Sequence, residues 1–278
     1  MSSGKVKEII FLGTGSSSTA PDIVCLTEPE IKCTTCLSTL KPEGAINIRK
    51  NTCLLIRFHH GDGGIRNIII DCGKTFYESA IKFWPIFKLR RIDAVVLTHP
   101  HADAINGLDD LRSWTLNKAI QEYIPIYLTE NTLENIKSSF PYLVDKKKSS
   151  GGGDLPSFQW NIIDSHTNFT VEGLEFTPLQ VHHEDTFIKL HGSELIVLDS
   201  LNRIIGKPHK SHFSIYEAVD VVRKLNPIPK KAFIVGLSHS IEYYDLVREM
   251  KELQEKEPDL YVRPAHDGLN IKIEELSA

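Results

Sequence analysis

The sequence predicts an α+β fold built from two similar halves. Short apolar runs rich in β-branched residues alternate with amphipathic stretches of helical periodicity, and this pattern occurs twice along the 278 residues. Three of the predicted strands are followed by histidines. No short-period repeat and no long linker rich in Pro, Gly or Ser divides the chain, so we expect a single domain over residues 1–278.

The first half begins with a strand over 7–12 that enters a loop at Gly13. Gly13 and Gly15 suggest a dinucleotide loop, but the third glycine is missing and Pro21 interrupts the helix that should follow. Two strands, 51–58 and 67–71, form a predicted hairpin around a Gly-rich turn. The other predicted elements of this half are a helix over 76–87, a buried strand over 92–97, a helix over 105–116, a strand over 124–128 and a helix over 131–139.

The second half follows an exposed loop at Lys146–Asp154, whose Lys, Ser and Gly residues are typical of a solvated connector. The predicted strands are 160–163, 169–171, 174–178, 195–198, 232–235 and 261–263, and the predicted helices are 214–225 and 241–255.

Composition limits the classes of function. Hydrophobic residues at 41% and charged residues at 24% are ordinary for a globular protein, which argues against disorder. The net charge of -4, with no long basic run, does not favour a nucleic-acid partner. Because no apolar stretch approaches the roughly 20 residues of a membrane span, we expect a soluble, cytoplasmic protein without a membrane partner.

The strand over 92–97 delivers the run Thr98-His99-Pro100-His101-Ala102-Asp103. In an extended segment alternate side chains point to one side, so His99, His101 and Asp103 are predicted to converge. Histidine and carboxylate groups are the usual ligands of an open metal site that activates water. Further candidate ligands follow later strands, at His182-His183 and at His239.

The run from Thr98 to Asp103 resembles the H-x-H-x-D-H signature of the metallo-β-lactamase superfamily. Further segments are similar to the eukaryotic PhnP-like branch, whose relatives include a cyclic-phosphate phosphodiesterase. These segments are Phe11–Gly15, Ile70–Gly73, Ala104–Arg112 and Asp267–Leu269. The resemblance covers almost the whole chain and implies an αββα sandwich, with two mixed sheets face to face and helices outside.

The resemblance also implies roles for individual residues. His99, His101 and His183 correspond to the ligands of a first catalytic metal, and Asp103 and His239 to those of a second. His212, in Ser211-His212-Phe213, corresponds to a general acid or phosphate-binding residue, so we count it with Asp103 as catalytic; a capping role at the following helix is the alternative. The implied cofactors are one or two Zn²⁺ or Mn²⁺ ions.

A second group of metal-type residues consists of Cys25, Cys33 and Cys36. Two cysteines three positions apart, with a third nearby, can hold a tetrahedral zinc ion. PhnP-like proteins carry such a structural zinc. Their fourth ligand is a histidine shortly after the position of His239, where this chain has Glu242 and Tyr243, so the fourth ligand stays open. The other two of the five cysteines, Cys53 and Cys72, are expected in the core.

Two departures from the family pattern concern the second catalytic metal. Ala104 replaces the last histidine of the signature, as it does in the eukaryotic branch. A hairpin that carries the bridging aspartate is missing between His183 and Glu184, and Asp199 is a weak substitute for that ligand. We therefore expect at most one tightly bound catalytic metal.

The function expected from these observations is hydrolysis of a small-molecule phosphodiester or cyclic phosphate by a metal-bound hydroxide. The alternatives are a thioester or lactone hydrolase, because the same hydroxide attacks carbonyls, and a catalytically impaired member with a binding role. Whether the protein is a homodimer is left open.

Overall fold

The computed structural model describes residues 5–30, 32–149, 151, 153–179, 190–203 and 212–276. The chain divides into two compact units, and each unit is made of three separate stretches of the sequence. Unit 1 contains residues 1–12, 53–180 and 270–273, and unit 2 contains residues 13–52, 181–269 and 274–278. Among the described residues, no helix combines the length and the apolar character that a membrane span requires.

The strands lie in three sheets. They are β1 Lys5–Gly13, β2 Cys53–His59, β3 Ile65–Ile70, β4 Ala94–Val96, β5 Ile124–Leu128, β6 Phe158–Ile162, β7 Phe169–Val171, β8 Leu174–Phe176, β9 Leu195–Asp199, β10 Lys231–Val235, β11 Val262–Pro264 and β12 Asn270–Lys272. Unit 1 has a seven-stranded sheet of order β12-β1-β2-β3-β4-β5-β6 and the hairpin β7-β8. Unit 2 has a sheet of order β11-β10-β9.

The large sheet is mixed. β1 pairs antiparallel with β12, and β2 with β3, whereas β3, β4, β5 and β6 pair in parallel. Parallel pairing needs crossover connections, and these carry the helices of this unit. In the unit 2 sheet, β10 pairs in parallel with both β9 and β11.

The α-helices range from four to fourteen residues, and those that carry candidate metal ligands are short. The α-helices are Ile23–Thr27, Thr34–Ser38, Phe76–Ile86, Ala102–Ile105, Arg112–Thr115, Glu130–Ser139, Pro141–Val144, Ile215–Lys224 and Tyr243–Lys256. The 3₁₀ turns are Pro42–Asn47, Asp109–Leu111, Leu116–Lys118, Lys146–Lys148 and Ile273–Leu276.

Sequence chemistry explains where the helix Ile215–Lys224 begins and how it packs. Ser214 accepts a bond from the Glu217 amide, and the Glu217 side chain accepts one from the Ser214 amide, which forms a capping box. Ile215, Val219 and Val222 recur at helical spacing and are buried. They pack in the apolar cluster of unit 2, so this helix covers β9 and β10 from within its own unit.

Unit 1 is organised around one large apolar cluster. It joins residues of β1, β2, β3, β4 and β5 to the helices Phe76–Ile86 and Glu130–Ser139. All three residues of β4 are buried, as expected for a central parallel strand. This burial fixes the end of β4 and therefore the point at which the segment from Thr98 to Asp103 leaves the sheet.

The predicted helix over 105–116 is wrong. The chain there forms a helical turn at Ala102–Ile105, a 3₁₀ turn at Asp109–Leu111 and a further turn at Arg112–Thr115. Gly107 approaches the 72–73 backbone so closely that an added Cβ would lie 2.3 Å from the Gly73 oxygen. The Cys72 amide donates to Ala104 (2.7 Å) and the Gly107 amide donates to Cys72 (2.8 Å), so tertiary hydrogen bonds replace a continuous helix.

Candidate metal centre

β4 leads directly into the residues of the first cluster. His99 follows the strand in an extended loop, His101 is the extended N-cap of the helix Ala102–Ile105, and Asp103 lies in its first turn. The sequence pattern predicted that Asp103 continues the alternation of a strand. The structure instead places Asp103 in the first turn of a helix that begins after His101, and this turn of the chain brings its carboxylate to His99.

The predicted convergence of the three side chains is confirmed. One ligand atom from each of His99, His101 and Asp103 can be chosen so that all lie within 4.8 Å of one another. His99 Nε2 is 4.0 Å from Asp103 Oδ1, and the two imidazole centroids are 4.7 Å apart. Atoms that share an ion at bonds of about 2.1 Å must lie within about 4.2 Å of each other. These three residues therefore fit a common divalent cation with only small adjustments.

Asp71 supports this cluster from the end of β3, and the sequence analysis assigned it no role. Its carboxylate accepts bonds from the Thr98 amide (2.8 Å) and the Thr98 hydroxyl (2.7 Å). The Thr98 hydroxyl is also 2.8 Å from His99 Nδ1. This chain of contacts fixes the ring so that Nε2 faces Asp103, which is the usual way in which outer groups orient a metal-binding histidine. The sequence could have indicated Asp71, because this carboxylate directly follows β3, the parallel neighbour of β4, and the ends of parallel neighbours lie together.

The electrostatics of the cluster also suit a cation. Burial raises the pKa of Asp71 to about 6; the bonds from Thr98 act in the opposite direction, and nearby Asp103 adds to the increase. Burial, with a smaller contribution from His101, lowers the pKa of His99. A lowered pKa keeps the imidazole neutral near pH 7, which is the form that binds metals.

A second cluster lies in unit 2. Ligand atoms of Cys25, Cys33, Cys36 and His239 all lie within 4.8 Å of one another. His239 Nδ1 is 3.4 Å from the Cys25 and Cys36 sulfurs and 3.7 Å from the Cys33 sulfur. The predicted grouping of the three cysteines is confirmed, and its fourth member is His239. Three thiolates and one imidazole form a complete tetrahedral set for zinc.

The position of His239 bears on the second catalytic metal. The sequence analysis assigned His239 to that metal with Asp103, but its Nδ1 atom faces the three sulfurs. Its Nε2 atom lies 3.7 Å from Asp22 Oδ2. The described contacts of His239 thus belong to the cysteine cluster, and its service to a second catalytic metal stays a prediction.

Burial disfavours the thiolate forms of Cys25 and Cys36. Burial raises the pKa of Cys36 to about 12, although the Asp22 amide, 3.4 Å from its sulfur, acts in the opposite direction. The pKa of Cys25 is raised for the same reason, with Cys33 adding to the increase. A bound zinc ion reverses this preference, because its charge stabilises the deprotonated sulfurs.

His212 and Asp199 form a histidine–carboxylate pair in unit 2. His212 Nδ1 lies 2.6 Å from Asp199 Oδ2, at the end of β9 and before the helix Ile215–Lys224. Gly236 leaves room for the carboxylate, since a Cβ there would collide with Asp199 Oδ1. The structure thus engages Asp199 with His212, and its predicted role as a metal ligand remains a prediction. His183, with the junction to Glu184, lies outside the described residues.

Comparisons with known proteins agree on the fold. Residues 66–191 match the β-lactamase superfamily domain. A diphosphatase structure from the PhnP family superposes with a TM-score of 0.75 at 23% identity, covering 97% of this chain and 98% of that one. The metallo-β-lactamase fold protein YhfI from Bacillus subtilis gives a TM-score of 0.62 at 16% identity over 96% and 99% of the chains. Human tRNase Z, short form, gives 0.55 at 13% identity, over 96% and 99%.

One relative found by sequence is named as an acyltransferase rather than as a phosphate-ester hydrolase. An octanoyltransferase from Porphyromonas gingivalis is 26% identical over 96% of this chain, but the match covers 51% of that protein. The present chain spans about half the length of this relative. The fold of this chain is the metallo-β-lactamase fold, as the sequence predicted.

Proposed function

We propose that this chain, which carries a β-lactamase superfamily domain, is a metal-dependent hydrolase of phosphodiester or cyclic phosphate bonds. The observation that carries the proposal is the convergence of His99, His101 and Asp103 at the end of β4. Three ligands from one segment leave positions open on a cation, which is the arrangement of catalytic rather than structural sites.

The donor set of this cluster fits Zn²⁺ or Mn²⁺. His99 would bind through Nε2, since Nδ1 faces the Thr98 hydroxyl. His183, the third histidine that the family resemblance implies for this ion, lies outside the described residues, and its role stays a prediction. A bound divalent cation supplies an acidified water near neutral pH and polarises the phosphoryl oxygen.

We expect one tightly bound catalytic ion rather than two. Ala104 offers no ligand at a position where the family signature has histidine. The described contacts of His239 are with the cysteine sulfurs. Asp199, which the sequence offers as a substitute for the bridging ligand, has its carboxylate 2.6 Å from His212 Nδ1.

His212 is the proposed general acid. Its Nδ1 lies 2.6 Å from Asp199 Oδ2. The pairing fixes the ring orientation, so that Nε2 is the nitrogen for delivering a proton to a leaving oxygen. We propose that Asp199 acts through His212 in this way.

Phosphate-containing substrates are favoured by the structural neighbours, which include a diphosphatase and a tRNase Z. These names describe those proteins. For this chain they support a phosphate-containing substrate in general and no particular compound. A small-molecule phosphodiester is our preferred substrate, and the cytoplasm our preferred location.

An acyl substrate is the alternative. The curated relative is called an octanoyltransferase, and a cation site that activates water also hydrolyses thioesters and lactones. A further alternative is an impaired enzyme with a binding role, which the incomplete second site keeps open.

The test measures turnover of two substrates and, in the same protein, the number of bound metal ions. Purified protein is assayed with bis(p-nitrophenyl) phosphate and with an octanoyl thioester, before and after EDTA, while bound metals are counted by mass spectrometry. We expect EDTA-sensitive turnover of the phosphodiester and one catalytic ion. Turnover of the thioester alone would replace the proposal with the acyl alternative. A bound catalytic ion without turnover of either substrate would leave only the binding role.

We also propose that Cys25, Cys33, Cys36 and His239 hold a structural zinc ion. The four ligand atoms complete a tetrahedral set, and no open position is needed. The zinc ties the segment of residues 22–36 to the loop after β10, within unit 2.

A further inference from the structure

Arg49 is the largest of the fully buried side chains, with 1% of its surface exposed. A buried guanidinium is costly unless its hydrogen-bond donors and its charge are satisfied. Burial lowers the pKa of Arg49 to about 10, while Asp267, Glu242 and Cys36 act in the opposite direction. The side chain therefore remains charged at neutral pH, and its position requires an explanation that the proposed catalytic function does not provide.

The guanidinium of Arg49 holds the loop that carries His239. It donates to the carbonyl oxygen of Ser238 at 3.0 Å and to that of Ile241 at 2.5 Å. These two carbonyls bracket His239 in sequence. Because both ends of this short span are fixed by one rigid, planar group, the direction of the His239 ring is restricted.

The backbone of Arg49 holds the other part of the same cluster. Arg49 and Ala20 exchange two amide-to-carbonyl bonds, each 2.9 Å long. Two residues later, the Asp22 amide is 3.4 Å from the Cys36 sulfur, and Asp22 Oδ2 is 3.7 Å from His239 Nε2. A single residue thus connects the cysteine-bearing segment to the histidine-bearing loop.

Asn47 extends this connection to the helix Tyr243–Lys256. Its side chain donates to Glu242 Oε1 (2.9 Å) and accepts from the Tyr243 amide (2.9 Å) and from Arg49 (3.4 Å). Glu242 is the N-cap of that helix. Two residues of one segment therefore hold the loop from Ser238 to Glu242 near both of its ends.

We infer that Arg49, assisted by Asn47, is a positioning residue for the cysteine–histidine metal site, and that it sets how tightly this site holds its ion. The inference rests on the structural zinc proposed above. Three thiolates exceed the charge of one Zn²⁺ by a single negative charge, and the Arg49 guanidinium supplies the opposite charge from outside the ligand set. Arg49 acts through His239 and the sulfurs and does not itself bind the ion.

The experiment uses the full chain with cobalt or zinc. Tetrahedral cobalt bound by thiolates has a characteristic absorption, which reports the geometry of this site independently of any catalytic turnover. Zinc release to a chromogenic chelator gives the rate of loss from the same site. The variants are Arg49→Met and Arg49→Lys, and the matched control is Arg57→Met, which removes a part-buried arginine paired with Glu8 in unit 1.

We expect Arg49→Met to release zinc at least about tenfold faster than the wild type and to alter the cobalt spectrum, since loss of an outer partner typically costs 10- to 100-fold in affinity. Arg49→Lys keeps the charge but cannot donate to both carbonyls in one plane, so its rate should be intermediate. Arg57→Met should match the wild type in both measurements. If Arg49→Met does not fold, Arg49→Lys compared with Arg57→Lys carries the test.

Three results would overturn the inference, and they are distinguishable. A wild-type protein without the thiolate–cobalt absorption would remove the zinc site itself. A wild-type protein with that absorption, but with release rates equal in the Arg49 variants and the wild type, would remove only the positioning role. Equal acceleration in the Arg57 variant would also overturn it, because the effect would then be general destabilisation.

Discussion

The two clusters of metal-type residues are assembled in opposite ways. His99, His101 and Asp103 come from one five-residue stretch after β4 and form an incomplete set. Cys25, Cys33, Cys36 and His239 come from segments more than 200 positions apart and form a complete set, since Cys36 and His239 alone are separated by 203 positions. A local, open set can exchange water and substrate, whereas a distributed, closed set links chain segments.

The open cluster after β4 and the closed cysteine–histidine cluster also differ in the groups that hold their histidines. His99 is oriented by a short polar chain through Thr98 to Asp71, and 43% of its side chain is exposed. His239 is held by a buried arginine and lies beside a buried Cys36. The difference teaches that the completeness of the ligand set, rather than its exposure, separates the candidate catalytic centre from the candidate structural one, because the His239 side chain is 30% exposed and that of Asp103 only 23%. Four predictions test this contrast.

The largest effect is expected for His101→Ala. Loss of one ligand from an open set would remove the proposed cation, which would stabilise the transition state by several kcal/mol, so the proposed phosphodiesterase activity should fall at least about a hundredfold. Zinc at the cysteine cluster should remain, as measured by mass spectrometry. His166→Ala, an exposed histidine of unit 1 outside both clusters, is the control. Full activity of the His101 variant would remove the catalytic assignment.

Cys33→Ser should act on stability instead. Loss of a closed zinc site should cost a few kcal/mol of folding free energy, equivalent to a fall in Tm of roughly 5 to 10 °C. The catalytic ion should be retained. Cys53→Ala, at a buried cysteine outside the cluster, is the matched control and should leave zinc content unchanged. Calorimetry with metal counting separates the variants, and an unchanged Tm with retained zinc would contradict the contrast.

Asp71→Asn should weaken the catalytic ion without removing it. The carboxylate accepts from Thr98, which in turn contacts His99, and loss of such an outer group lowers metal affinity about 10- to 100-fold. Competition with a chelator measures this change. Asp93→Asn, at another carboxylate that accepts from a backbone amide in the same unit, should leave the affinity at the wild-type value. Equal affinities in the Asp71 and Asp93 variants would show that the polar chain has no role.

The smallest effect is expected for Asp22→Ala beside the cysteine cluster. Its side chain accepts from the Val24 amide as the N-cap of the helix Ile23–Thr27, a contribution of about 1 kcal/mol. Tm should fall by roughly 2 to 4 °C, with zinc content unchanged. Asp22→Ser, which can still cap the helix, should recover most of the loss. A failure of Ser to recover stability would point to the contact with His239 instead.

Local patterns in the sequence predicted most strands and the longer helices. The buried run before Thr98 indicated a central strand, and the structure places β4 there. The helix predicted over 105–116 was wrong because Gly107 and Ala104 make hydrogen bonds to the distant Cys72. Hydrophobic periodicity indicates whether one segment tends to form a helix or a strand. It contains no information about hydrogen bonds to residues far away in the sequence.

The sequence by itself determined the pairs of ligands that are close along the chain. His99 lies near His101, and Cys33 near Cys36, because backbone geometry over so few residues leaves little freedom. The tertiary structure alone decided that His239 joins the cysteines, although its sequence position suited a second catalytic ion equally well. That choice depends on Arg49, whose buried hydrogen bonds fix the His239 loop. These bonds join positions 189 and 192 residues apart within unit 2, so no local spacing could reveal them.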